Sequence, residues 1–238
     1  MDMYRRIKIC KKCTLTNGGL LIEIFLTQNW YREMQVYGFL TFPDSKDDWK
    51  ESLNWKNEDG TSYIEILQAE LEWRKDDLLT FLPAPFHPYI LDGSLKTEYP
   101  SKELRKMAEE WNENYQSRSH DIRKQYMEQF EEIKEKLPSQ VLEIHTKSLH
   151  DGEVLSISSS ESTITLIIAG TSVGWYDTIV KLTFSDIEKC LIPEQLDGSW
   201  WLYDEIYKTE TGFELRVLLE NPLSELMMQA RELKIETV

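Results

Sequence analysis

The stretch SKELRKMAEEWNENYQSRSHDIRKQYMEQFEEIKEKLP, residues 101–138, decides the fold. Leu104, Met107, Trp111, Tyr115, Ile122, Tyr126, Phe130, Ile133 and Leu137 recur every three or four residues, the spacing of a single helix face. The repeat skips one turn, at Arg118 and Ser119. Ser101 offers an N-cap and Pro138 a stop, so the pattern predicts one helix roughly 50 Å long at ~1.5 Å per residue. The opposite face is rich in Lys, Glu and Arg. An amphipathic helix packed on its neighbours fits better than a coiled coil, which needs stricter heptads.

Upstream of this helix the chain also reads as helical. Residues 20–27 suggest one short strand, after which Trp30, Tyr31, Met34 and Tyr37 fall at helical spacing. Ser45 and Ser62 are N-cap candidates for two more helices, the second carrying Ile64, Leu67, Leu71, Trp73 and Leu78. Leu82-Pro83-Ala84-Pro85 ends that helix because proline cannot continue one. Downstream of Pro138 the period shortens. Residues 154–157, 163–168, 179–184, 200–207, 213–219 and 226–235 read as strands, separated by Asp- and Gly-containing turns. The fold class is therefore α+β: a helical N-terminal half followed by an antiparallel β-sandwich or small barrel. The expected domains are a basic tail at 1–20, a mainly helical domain at 21–138 and an antiparallel β domain at 139–238.

The formal net charge is −15, with 42 acidic against 27 basic residues. Nucleic-acid binders carry the opposite balance, so no nucleic-acid partner is expected. A protein partner with a basic surface is the kind that this charge would attract. No run reaches the roughly 20 apolar residues of a membrane span, and no membrane partner is expected. Three cysteines fit a reducing cytoplasm. Cys10 and Cys13 form a C-x-x-C inside the basic tail, without the further ligands a zinc site needs. Gly18-Gly19 can be encoded by a ribosome-binding-like GGAGG, which makes a start near Ile22 the alternative reading of the tail.

Two groups of residues stand out as candidate sites. His145, His150 and Asp151 could supply metal ligands, histidine being the commonest one. The same His150-Asp151-Gly152 also reads as a turn, with Gly152 taking the positive φ. Trp200, Trp201, Tyr203, Asp204 and Glu205 form a dense aromatic-acidic run. On a regular strand Trp200, Leu202 and Asp204 face one side and Trp201, Tyr203 and Glu205 the other. One face would then be an inter-domain contact or a partner-binding patch. Asp204 and Glu205 on opposite faces do not support paired-carboxylate chemistry. Nucleophile-elbow, phosphate-loop, dinucleotide-loop and H-E-x-x-H motifs are absent, no cofactor is expected, and no catalytic residue is assigned.

The segments IEIFLTQNWYREMQ, FLPAPFHPYILDGSL, KEKLPSQV, SLHDGEVL, WWLYDEIY and GFELRVLL together resemble an uncharacterised family of bacilli, domain of unknown function 4085. The resemblance starts near Ile22 and implies a bacterial protein with no assigned activity. The expected function is a non-enzymatic protein-binding module of immunity or antitoxin type. The alternatives are a metal-dependent hydrolase with a site at the domain junction, and a structural homo-oligomer built on the long helix.

Overall fold

Short-range chemistry sets the helix starts. The Ser45 side chain accepts from the Asp48 amide and the Asp48 carboxylate from that of Ser45; Ser62 and Glu65 repeat the arrangement. Each reciprocal pair satisfies two amides that a helix start leaves open. The computed structural model describes residues 8–9, 24–170 and 178–238. Among these residues lie seven α-helices and nine strands. The helices are α1 Gln28–Phe39, α2 Lys46–Leu53, α3 Tyr63–Phe81, α4 His87–Leu91, α5 Ser94–Thr97, α6 Lys102–Ile133 and α7 Ser139–Thr146. The strands are β1 Lys8–Ile9, β2 Gly152–Ser159, β3 Thr163–Ala169, β4 Ile179–Ser185, β5 Lys189–Ile192, β6 Trp200–Lys208, β7 Phe213–Glu220, β8 Ser224–Ala230 and β9 Glu232–Thr237. No described helix is long and apolar enough to cross a membrane.

The chain divides into two compact units, Asn29–Arg123, and Lys124–Val238 with the segment ending at Gln28. The helical unit closes over Val36, Phe39, Leu40, Leu71, Leu78, Leu82, Phe86, Ile90, Leu95, Leu104 and Ala108, all nearly solvent-free. The prolines after α3 are exposed but aim their neighbours into this core: Pro83 and Pro88 start short turns that deliver Phe86 and Ile90, and Gly93 (φ +84°) reverses the chain before Leu95. Lys96 then closes the C-terminal end of α1. Its Nζ donates to the Phe39 carbonyl at 3.0 Å and to that of Thr41, beside the Phe39 and Phe42 rings. Burial pushes this ammonium down to about 8.

In the second unit, every second residue of β3 and β4 is buried and those between are half-buried or exposed, as in a strand with one core face. All ladders are antiparallel, and the order is β1-β5-β8-β7-β6-β2-β3-β4-β9. This corrects the expected sandwich or barrel. The ladder is one continuous sheet, and its two end strands do not pair with each other, so it stays open. It curls nonetheless, for Phe184 of β4 and Phe213 of β7 lie 6.4 Å apart. Only Gly152 and Glu153 of β2 pair with β6, at Trp201 and Trp200. On the β9 edge, the Gln140 side chain of α7 accepts from the Ile235 amide at 2.5 Å, covering part of an edge that would otherwise invite further pairing.

Three local expectations change. Residues 24–27 form no strand. Pro138 begins a helix as well as ending one: α7 follows directly and buries Val141 and Ile144. At the turn before β2, Asp151 takes the positive φ (62°) and Gly152 does not. Gly152 is needed for space, because a Cβ there would sit 2.8 Å from Ile168 Cγ2 and 2.9 Å from the Leu149 carbonyl. The C-x-x-C and residues 171–177 lie outside the described residues.

Candidate functional site

The features singled out in the sequence meet on β6, but in a different arrangement. Pairing with β7 runs Trp200 to Glu220 and Trp201 to Leu219, then shifts, so that Tyr203 pairs with Leu218 and Glu205 with Arg216. Leu202 is the extra residue of a β-bulge. The bulge re-sorts the side chains after it. Trp200, Tyr203, Glu205 and Tyr207 share one face; Trp201, Asp204 and Ile206 share the other. A direct bond reports the change: the Trp201 indole Nε1 donates to Asp204 Oδ2 at 3.0 Å, which a regular strand would not allow.

Trp201 and Ile206 are fully buried among the core residues of β7 and β8. Burial pushes the Asp204 carboxyl up to about 6, against the opposing Trp201 hydrogen bond and the charge of His150. The His150 imidazole lies beside this region. Its Nδ1 meets the Leu202 carbonyl, which can only accept, so Nδ1 carries the proton. Its Nε2 is 3.7 Å from Asp151 Oδ1, and its ring is 5.2 Å from that of Tyr203. The bulge and the His150 turn are thus one constellation.

The expected metal set of His145, His150 and Asp151 is not brought together. His145 stacks on Phe130, with centroids 3.8 Å apart and planes at 27°, and burial lowers its pKa. Among the described residues no three His, Cys, Asp or Glu side chains are grouped to hold a metal ion. Cys190 is buried.

The other face of β6 carries a polar stripe with two very different ends. At one end Glu205 is 2% exposed. Its Oε1 accepts from the Phe25 and Leu26 amides at 3.1 and 2.9 Å, and its Oε2 from the Tyr207 hydroxyl at 2.9 Å. Burial raises its pKa against these bonds and the charge of Arg216. The Tyr126 hydroxyl accepts from the Ile206 amide at 3.0 Å, filling a ladder position that β2 leaves open. Burial drives the phenols of Tyr126 and Tyr207 upward. One strand over, Glu214 is equally buried and holds Arg216 Nε at 2.5 Å and the Gln229 amide. The cavity beside Glu205 and Arg216 is about 10 Å³, no more than a single water requires. The sequence reading missed Glu214, Arg216, Tyr207 and Tyr126.

At the opposite end of the stripe, Trp200 is 44% exposed. Its cross-strand neighbours are Glu153 on β2 and Glu220 on β7, both exposed. An exposed indole therefore lies between two carboxylates, with Tyr203 two pairs further along the strand on the same face.

The model of the family described as protein of unknown function (DUF4085) matches residues 25–230. The chain belongs to this family. No curated protein matches it. Among solved structures, an uncharacterized protein from Neisseria gonorrhoeae is similar, with 17% identity and a TM-score of 0.30, over 39% of this chain and 96% of its own. A likeness at that level carries no argument.

Proposed function

We propose that this chain is a non-enzymatic protein-binding module whose partner presents a basic side chain to Trp200. The observation that carries the reading is the row Glu153–Trp200–Glu220, an exposed indole flanked across the ladder by two exposed carboxylates. An arginine or lysine over an indole face contributes about 0.5–2 kcal/mol, and adjacent carboxylates add charge-assisted bonds. Tryptophan is also among the residues that dominate binding at interface centres. The net charge of −15 would draw a basic partner in from a distance and make association depend on salt. The cavity beside the buried carboxylate of Glu205 holds no more than a water, and its oxygens are engaged within the fold.

Replacing Trp200→benzoylphenylalanine and irradiating cells of the native host tests the reading. The expected result is a discrete protein adduct that disappears when Glu153→Lys and Glu220→Lys are added. The absence of any protein adduct, or an adduct indifferent to the charge reversal, would overturn it.

A further inference from the structure

The skipped turn in the apolar repeat of α6 has a structural counterpart within the helical unit. Near the interruption at Arg118 and Ser119, α6 is joined to α1 through polar groups, Arg118 to Glu33 and Gln116 to Tyr37, and an open groove of about 690 Å³ lies beside these contacts. That volume lies in the ordinary range for small-molecule sites. Tyr37 and Met34 of α1 form one wall, and Glu113, Gln116, Ser119, His120 and Arg123 of α6 belong to the other.

The wall is rich in donors that the fold does not use. The Tyr37 ring is fixed by stacking on Tyr115, with centroids 4.7 Å apart. Gln116 Nε2 donates to the Tyr37 hydroxyl at 2.6 Å, so the lone pair is occupied and the phenolic proton is left to donate. Arg123 rests over the Trp30 ring at 5.8 Å. Among the described arginines it alone has neither a carboxylate nor a carbonyl partner; Arg32, Arg74, Arg118, Arg216 and Arg231 pair with carboxylates, and Arg105 with the Pro43 carbonyl. The acid of the groove lining, Glu113, lies ten residues, roughly 15 Å, away along α6 and forms no ion pair with Arg123. His120 stands one helical turn before it, on the same side.

We infer that this groove binds a small organic anion, a carboxylate or a phosphate monoester with an apolar body. Arg123, His120, Ser119 and the Tyr37 O–H donate to the anionic group, and guanidinium in particular matches two oxygens of such a group at once. Met34 and the Tyr37 ring take the apolar body.

Titration calorimetry of the full chain with phenyl phosphate, benzoate, inorganic phosphate and benzyl alcohol tests this. Phenyl phosphate and benzoate are expected to saturate, inorganic phosphate to bind at least about tenfold more weakly, and benzyl alcohol not to bind. Arg123→Gln, an exposed position, should weaken phenyl phosphate at least about tenfold and Tyr37→Phe about threefold, while Arg231→Gln leaves it unchanged. Unaltered circular dichroism and melting would show that the variants fold. No saturable binding of either organic anion, equal binding of inorganic phosphate, or an Arg123→Gln chain that binds as well as wild type would overturn the assignment.

Discussion

The two ends of β6 present similar chemistry on one face and put it to opposite use. Around Glu205 and Tyr207 an acid and an aromatic ring are sealed by residues 24–28 and by Tyr126, with each oxygen of the carboxylate engaged. Around Trp200 and Glu220 an acid and an aromatic ring stand open to solvent. The difference teaches that residue type does not assign a role here; enclosure does. A buried carboxylate with both oxygens engaged holds backbone in place, whereas an exposed one beside an indole faces solvent.

The largest effect should come from the sealed end. Glu205→Ala leaves the Phe25 and Leu26 amides and the Tyr207 hydroxyl without their acceptor, and is expected to cost about 3 kcal/mol of stability. Urea unfolding measures it, and a loss below about 1 kcal/mol would erase the contrast between the two ends.

The inner face gives a pH-dependent version of the same comparison. Burial places the native value of Asp204 at about 6, above its ordinary value of 3.8. The native state therefore keeps the proton longer than the unfolded chain. The stabilising contribution is full below about pH 4 and is lost as pH rises through about 6. Asp204→Asn stays neutral and can still accept from Trp201 Nε1. It is expected to stabilise the fold by about 1–2 kcal/mol at pH 7 and to change little near pH 4. Thermal melts across that range would show the difference, and a variant equally displaced at both pH values would contradict it.

The smallest effect on stability belongs to the open end. Trp200→Ala should shift the unfolding free energy by no more than about 0.5 kcal/mol, as exposed positions do. A loss above about 2 kcal/mol would make Trp200 a packing residue and remove the basis for the partner reading.

How much of this was legible in the sequence depended on whether a feature is local. The long helix was legible because its apolar period is strong and its Ser101 and Pro138 boundaries are chemical. The strands after residue 150 were legible by alternation and turn residues. Whether the sheet closes was not, since closure depends on whether its first and last strands meet, and alternation is the same in either case. The short helix α7 is not legible because Pro138 reads as a stop for α6 as readily as it suits the start of a new helix. The bulge at Leu202 has no Gly or Pro to mark it, so the faces of β6 were assigned by strict alternation and came out mixed. A signal for the second buried acid did exist: in Phe213–Glu220, Glu214 and Arg216 alternate with Leu215 and Val217, placing an acid and a base two residues apart on one face. Closeness in sequence does not bring His145, His150 and Asp151 together in space, since Phe130 and the Leu202 carbonyl claim the two rings separately.

The open end of β6 is tested most directly by the affinity of the captured partner for purified wild-type chain and for the Glu153→Lys, Glu220→Lys double variant, each measured over a range of salt. The account predicts that the double variant binds at least about a hundredfold more weakly in low salt and loses most of the salt dependence. Equal affinity and an equal salt slope in the two chains would contradict it.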